Sequence, residues 1–359
     1  MSQIPTSSGS SGTATGSNVS PGLSVRELLD ANTLARGLSI WTVVACHVAL
    51  AHSFWRPVSV FASAGKLAVS IFLFMSGLLL QYQVNRAGGK LELASWARKR
   101  FFRIYPLYWA GLVLTLLCAW YFNHRTYSLG TLVANFLGIM IWIRQKVVTS
   151  GYAVTFWFIS LLLLCYVLFP LARLVRRKAW LVLGAFAVSA VAFQTGFVMK
   201  SAAFAFPAFF MGMAVADWLQ RRGAAPVPVR LSAALFLPLL VMLAVIFKGP
   251  NFLPLFGRGS LGIDLLGCAG LTFIPWPALC LVAMLQKALV RSAPMILRGL
   301  LWVSGMSFGV YCVHEPLLVV VNKTAGAGHP WLGLLGYAAL TLLAGWSLDA
   351  LDRKLRGGG

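Results

Sequence analysis

Along most of this chain the apolar residues follow one another in long unbroken runs rather than alternating with polar ones. Ten runs read as membrane spans, near 34–53, 65–84, 104–122, 153–172, 180–198, 202–219, 231–247, 262–286, 299–321 and 331–350. About 20 consecutive apolar residues let an α-helix cross the hydrocarbon layer of a bilayer. The pattern therefore predicts an all-α integral membrane bundle of about ten transmembrane helices. A further apolar stretch, 130–143, is short for a span and is expected to be re-entrant or lateral, as segments of about 10–14 residues commonly are. Ahead of the first span, SVRELLDA (residues 24–31) reads as a short interfacial helix. No repeat of fixed period is evident.

The ends divide simply. Residues 1–23, rich in Ser, Gly and Thr and without charge, predict a disordered cytosolic tail. They lack the basic start and short apolar core of a secretory signal. Residues 24–352 form the membrane domain, and 353–359 are expected to be a short basic, Gly-rich cytosolic tail.

Composition fits this reading. The chain is 59% hydrophobic and 11% charged, against roughly 25% charged in soluble domains, so little mass is left for a soluble unit. Thirty Lys and Arg against eight Asp and Glu give a net charge of +22. These basic residues cluster between the apolar runs, which points to loop charge and not to nucleic acid. With the N-terminus inside, 21 of the 30 basic residues fall on the cytosolic side, the bias that orients membrane proteins. Counting 130–143 as a span would put the basic cluster 173–178 outside. A basic cytosolic face also suits an anionic ligand or anionic lipid. The six cysteines lie inside apolar runs with no CxxC pair, as small membrane-buried residues do.

Ionisable residues within spans are costly in lipid and are candidates for function. In LARGLSIWTVVACH, Arg36 and His47 are eleven residues apart. That spacing is about three helical turns, so both side chains share one face roughly 16 Å apart along the axis. A histidine at this depth is either a general base, since its pKa lies near neutrality, or a hydrogen-bond partner of another helix. In RKRFFRIYPLYW (98–109), Arg100 and Arg103 share a face at the cytosolic edge. They form either a phosphate-binding fork or ordinary membrane anchors. In GMSFGVYCVHEP (305–316), Ser307, Tyr311 and His314 line one helix face with Glu315 beside it. This polar stripe should face the bundle interior, for substrate or for interhelical hydrogen bonds. In FLFMSGLLL (72–80), Ser76-Gly77 is a small pair suited to close packing. His52, His124 and His329 show no metal-binding pattern, and no metal or permanently bound cofactor is expected.

Together and in this order, these segments resemble the acyltransferase-3 family of bacterial multi-pass membrane acyltransferases. Arg36-Gly37 and then His47 match its first-helix pattern. AVSIFLFMSG is similar to its second-helix motif, KRFFRIYPLYW to its arginine motif, and SFGVYCVHEPL to its late Ser-Tyr-His motif. FWFISLLLLCYVLFPL (156–171) resembles its Trp…Tyr…Pro segment, with Trp157, Tyr166 and Pro170 in register. Two positions depart from the pattern. Leu162 stands where many members have glutamate, and Thr33 where many have aspartate; both changes remove an acid that would assist the histidine.

The resemblance implies acyl transfer, usually acetyl, from cytosolic acyl-CoA to a hydroxyl of a glycan or lipid-linked saccharide, at the bacterial cytoplasmic (inner) membrane. It implies His47 as general base or transient acyl carrier, with Arg36 orienting the donor or oxyanion. Arg100 and Arg103 would hold the CoA phosphates, while Ser307, Tyr311 and His314 bind the acceptor. The expected partners are acyl-CoA, the glycan and membrane lipids, and not nucleic acid. A transporter or flippase for a lipid-linked sugar or anion is the rival class, disfavoured by the absence of an inverted repeat in the hydropathy. A glycan polymerase or glycosyltransferase would want paired carboxylates.

The charge pattern predicts cytosolic termini and an outer location for 123–152. Reporter fusions after Asn123, Lys178 and Gly359 check this. The first should read as outside and the other two as cytosolic, and any reversal contradicts the ten-span topology.

Overall fold

The structure, a computed structural model, describes residues 22–51, 64–143, 148, 155–223, 225–248, 261–324 and 330–357. Most of the expected tail 1–23 lies outside the described residues, as do His52 and His329. Among the described residues the regular elements are helices, with one isolated antiparallel bridge between Leu23 and Val227.

Each predicted run has a helical counterpart. A short helix α1 (Val25–Asp30) leads directly into α2 (Asn32–Ala51). A capping box starts α1: Glu27 N–H donates to the Ser24 hydroxyl, and Ser24 N–H to the Glu27 carboxylate. Then come α3 (Ala64–Arg86), α4 (Leu93–Asn123), α5 (Leu129–Leu137) and α6 (Trp157–Ala172). They are followed by α7 (Lys178–Thr195), α8 (Lys200–Arg222), α9 (Val229–Ala234) and α10 (Phe236–Lys248). The chain ends with α11 (Leu261–Phe273), α12 (Pro275–Ser292), α13 (Pro294–Gly305), α14 (Ser307–Thr324) and α15 (Pro330–Gly357).

Eight segments are long and apolar enough to cross a membrane singly, with α1–α2, α9–α10 and α11–α12 each counting as one. The pair α13–α14 passes the same test together but bends by 67° at Met306. The apolar α6 is shorter, at 16 residues. These ten units coincide with the ten expected runs. The fold is a multi-pass helical bundle.

The stretch 130–143 forms no helix long enough to cross a membrane. Its helix α5 has nine residues and stops at Gly138, whose φ of 72° a glycine adopts without strain. Tyr105 and Trp109 of α4 donate hydrogen bonds to the carbonyls of Leu137 and Phe136, both at 2.9 Å, and the Tyr108 hydroxyl donates to that of Asn135. Helix α5 is therefore fastened onto α4 by its C-terminal carbonyls. At the other end of the chain, α15 runs to Gly357, through most of the expected tail, and carries the Asp349–Arg353 ion pair at 2.7 Å.

The helix ends sort into two sets, as alternating passes require. At one end Glu27 pairs with Lys287 at 2.9 Å, and Arg173 donates to the Gly89 carbonyl at 2.8 Å. At the same end Asp217 accepts from Gln81 and Asn85 and lies 3.6 Å from Lys178. At the other end Lys200 pairs with Asp264 at 2.7 Å. The first set consists of residues that the charge pattern assigns to the cytosolic side, and the second to the outer side.

The centre of the bundle depends on small residues. A Cβ added at Gly77 of α3 would lie 1.9 Å from the Phe209 carbonyl oxygen of α8, and one at Gly212 would lie 2.0 Å from that of Phe74. The two backbones touch there, in the small-residue contact expected of Ser76-Gly77. Gly77→Ala should force α3 and α8 apart, at a cost typical of overpacking, about 1–3 kcal/mol. It should lower the melting temperature of the detergent-solubilised protein. Gly184→Ala, with nothing within 4 Å of the new methyl, should be neutral or mildly stabilising. Equal melting of Gly77→Ala and wild type would contradict the contact.

Candidate active site

Helix α2 carries one residue of the site at each of two depths. Near its start Gly37 passes so close to Ser304 that an added Cβ would lie 1.8 Å from the Ser304 hydroxyl. This contact holds α2 against the bend between α13 and α14, and it sets Arg36 there. The Arg36 guanidinium lies 5.8 Å from the centre of the Phe72 ring on α3. Arg100 and Arg103 come in from α4, three residues apart on one face, and the Arg100 guanidinium stands 5.8 Å from the Tyr166 ring of α6.

All three arginines line one cavity of about 70 Å³, together with Phe72, Ser76, Leu162, Tyr166 and Phe308, and no Asp or Glu is among its described lining residues. The Arg100 Nε is buried without a hydrogen-bond partner. Arg36 and Arg103 also border a second cavity of about 220 Å³, lined by Thr33, Ser304, Ser307, Asp349 and Asp352. There Asp349 is already paired with Arg353.

Eleven residues further along α2, His47 meets α14. Its Nδ1 lies 2.8 Å from Nε2 of His314, with the ring planes 20° apart and their centres 4.9 Å apart. The Nδ1 of His314 is 2.7 Å from the Tyr311 carbonyl oxygen. Tyr311 donates its hydroxyl to the Thr155 carbonyl at 2.5 Å, and the Thr155 hydroxyl donates to the Glu315 carboxylate at 2.7 Å. From α15 the Tyr337 hydroxyl donates to the His314 carbonyl at 3.2 Å. His314 and Glu315 are 0% and 1% exposed, so these bonds are formed away from water. His47, Tyr311, Thr155, Lys66, Phe158 and Ser201 border a third cavity of about 160 Å³.

Aromatic rings separate the arginine and histidine cavities. Phe158 borders both. Its ring lies 5.9 Å from Phe72 and 5.4 Å from Tyr311, and Tyr311 stacks 6.2 Å from Phe308.

The predicted residues thus form two groups. Arg36, Arg100 and Arg103 converge at one depth; His47, His314 and Tyr311 converge at another. Ser307 lies one turn before Tyr311 and opens onto the arginine side, away from its two expected companions. Ser76, expected to serve packing with Gly77, also lines the arginine cavity.

The two positions that lack the family's acids need correction. Leu162 and Thr33 border the arginine cavities, not His47. An acid there would balance arginine charge and would not assist the histidine. The partner of His47 is a second histidine.

Sequence reasoning missed Thr155, Phe158 and the role of Lys66. Lys66 falls at the start of the expected span 65–84 and lies in the first turn of α3, on the wall of the histidine cavity. Its position directly before an apolar run was the available signal. Thr155 and Phe158 carry none.

Converging cations at one cavity, a histidine pair at another and aromatic rings between the two are parts that suit a membrane-embedded group-transfer enzyme. A family model described as an acyltransferase domain matches residues 30–350, and the chain belongs to the acyltransferase-3 family. It is a membrane acyltransferase. No curated protein and no solved structure matches it.

Proposed function

We propose that the protein is an O-acetyltransferase of the bacterial cytoplasmic membrane, moving an acetyl group from cytosolic acetyl-CoA to a sugar hydroxyl of an exported or cell-surface polysaccharide. The observation that carries the donor half is the cavity bordered by three arginines and, among its described residues, by no acid. Three partly buried cations converging on one wall repel one another. A polyphosphorylated ligand supplies the missing anions through charge-assisted hydrogen bonds. Coenzyme A also places its thioester at the end of a long thin arm, away from its phosphates. That shape suits a site in which Arg36 and His47 are separated by roughly 16 Å along α2.

The acceptor half rests on the histidine cavity. His47 is the general base for the incoming hydroxyl. Tyr311, Trp157 and Phe158 give it aromatic walls that suit a sugar ring. Arg100 and Arg103 hold phosphate, and Arg36 steers the donor past Phe72. Lys66 adds a positive group to the same wall, which suits the negative charge that develops on the attacked carbonyl.

His47→Ala should abolish acyl transfer while the protein still inserts and accumulates; near-normal product would remove His47 from the mechanism. Arg100→Ala should chiefly raise KM for acyl-CoA. A charged contact of this kind contributes a few kcal/mol at most, so its loss should stay within roughly a thousandfold. Deleting the gene should remove an alkali-labile methyl signal from the proton spectrum of a surface polysaccharide. An unchanged signal in every surface glycan would contradict the acceptor assignment.

A further inference from the structure

The two histidine contacts determine where the protons lie. A backbone carbonyl only accepts hydrogen bonds. The Nδ1 of His314, 2.7 Å from the Tyr311 carbonyl oxygen, must therefore carry a hydrogen. A neutral imidazole has one N–H, so Nε2 of His314 holds a lone pair. That atom lies 2.8 Å from Nδ1 of His47, which must then be the donor. We infer that His314 is a positioning residue that holds His47 in its Nδ1–H tautomer, leaving Nε2 of His47 as the basic nitrogen available to the cavity that His47 borders.

The opposite arrangement needs His314 as an imidazolium, donating from both nitrogens and forcing His47 to carry its hydrogen on Nε2. His47 could not then act as a base. That cation would sit at a position with 0% exposure, where charge is costly. The neighbouring acid, Glu315, accepts a hydrogen bond from Thr155. The neutral chain of Tyr311 carbonyl, His314 and His47 satisfies both short contacts without placing charge there.

The use of this tautomer rests on the acyl-transfer reading above; the tautomer itself does not. In the transfer step the acceptor hydroxyl gives its proton to His47 Nε2 as its oxygen attacks the thioester carbon. The C–S bond then breaks, and the leaving thiolate takes that proton back from Nε2 to give the free thiol. Between these events His47 is an imidazolium, and its Nδ1–H points at the lone pair of His314. A neutral histidine thus does the orienting and charge-sharing that a carboxylate does in many general-base pairs. The chain therefore has a competent base with no carboxylate bonded to His47.

Nitrogen-15 NMR of the full chain in lipid nanodiscs, labelled at its five histidines, tests this without any substrate. Single substitutions of the other histidines assign the signals. At neutral pH, His47 and His314 should each show a protonated Nδ1 and a bare Nε2, the reverse of the tautomer that free histidine favours in water. A protonated Nε2 on His47, or a doubly protonated His314, would overturn the inference whatever the activity. His314→Phe should lower kcat by up to about a hundredfold, since the base itself remains and removing it entirely costs at least that much, with KM for acetyl-CoA unchanged. His314→Gln, whose amide oxygen can accept from His47 Nδ1, should recover part of the loss. Equal kcat in wild type and His314→Phe would also overturn it. An Nδ1–H tautomer in a protein that transfers no acyl group would contradict the proposed function and leave this inference standing.

Discussion

A polar side chain on a membrane-spanning helix must find its partners inside the bundle, because lipid offers none. That constraint organises the functional half of this molecule. His47 would be a liability on α2 alone; it is tolerated because α14 presents His314 to it at 2.8 Å. His314 is in turn held by its own helix through the Tyr311 carbonyl, and Tyr311 by Thr155. The chain of bonds passes from α2 to α14 and on to the residues just before α6. Loss of one link leaves a buried polar group unpaired, which costs more than the bond itself contributes.

The arginine end obeys the same constraint differently. Arg36 and Arg100 lie beside the aromatic rings of Phe72 and Tyr166, which partly offset the charge. No carboxylate borders the smaller cavity among its described residues. One end of the site is thus closed by its own hydrogen bonds, while at the other Asp349 and Asp352 border only the larger arginine cavity. The close contacts Gly37–Ser304 and Gly77–Phe209 fix the helices around the arginine end, since each brings helices nearer than any larger residue would permit.

Much of this was legible in the sequence. Apolar run length gave the helices, and loop charge gave an alternation that the grouping of Glu27 with Lys287 and of Lys200 with Asp264 repeats in space. Helical spacing put Arg36 and His47 on one face and Tyr311 and His314 on another, because 3.6 residues per turn is a property of the helix alone. The pairing of those faces was not legible. Whether His47 meets a carboxylate, a histidine or solvent depends on how α14 is rotated against α2, and rotation is set by contacts between residues hundreds of positions apart. The same blindness made Leu162 and Thr33 look like losses near the base, although both lie with the arginines. The 67° bend at Met306, which turns Ser307 toward the arginine side, has no proline to announce it.

The central claim is that an acyl group enters at the arginine cavity and leaves on an acceptor at the histidine cavity, on opposite sides of the aromatic partition. Sealed proteoliposomes test this most directly. The protein is reconstituted with its arginine face outward, a polysaccharide acceptor is enclosed, and acetyl-labelled acetyl-CoA is supplied outside. The account predicts labelled ester on the enclosed glycan and free CoA outside the intact vesicles. Ester formation only when donor and acceptor share one side of the membrane would contradict it.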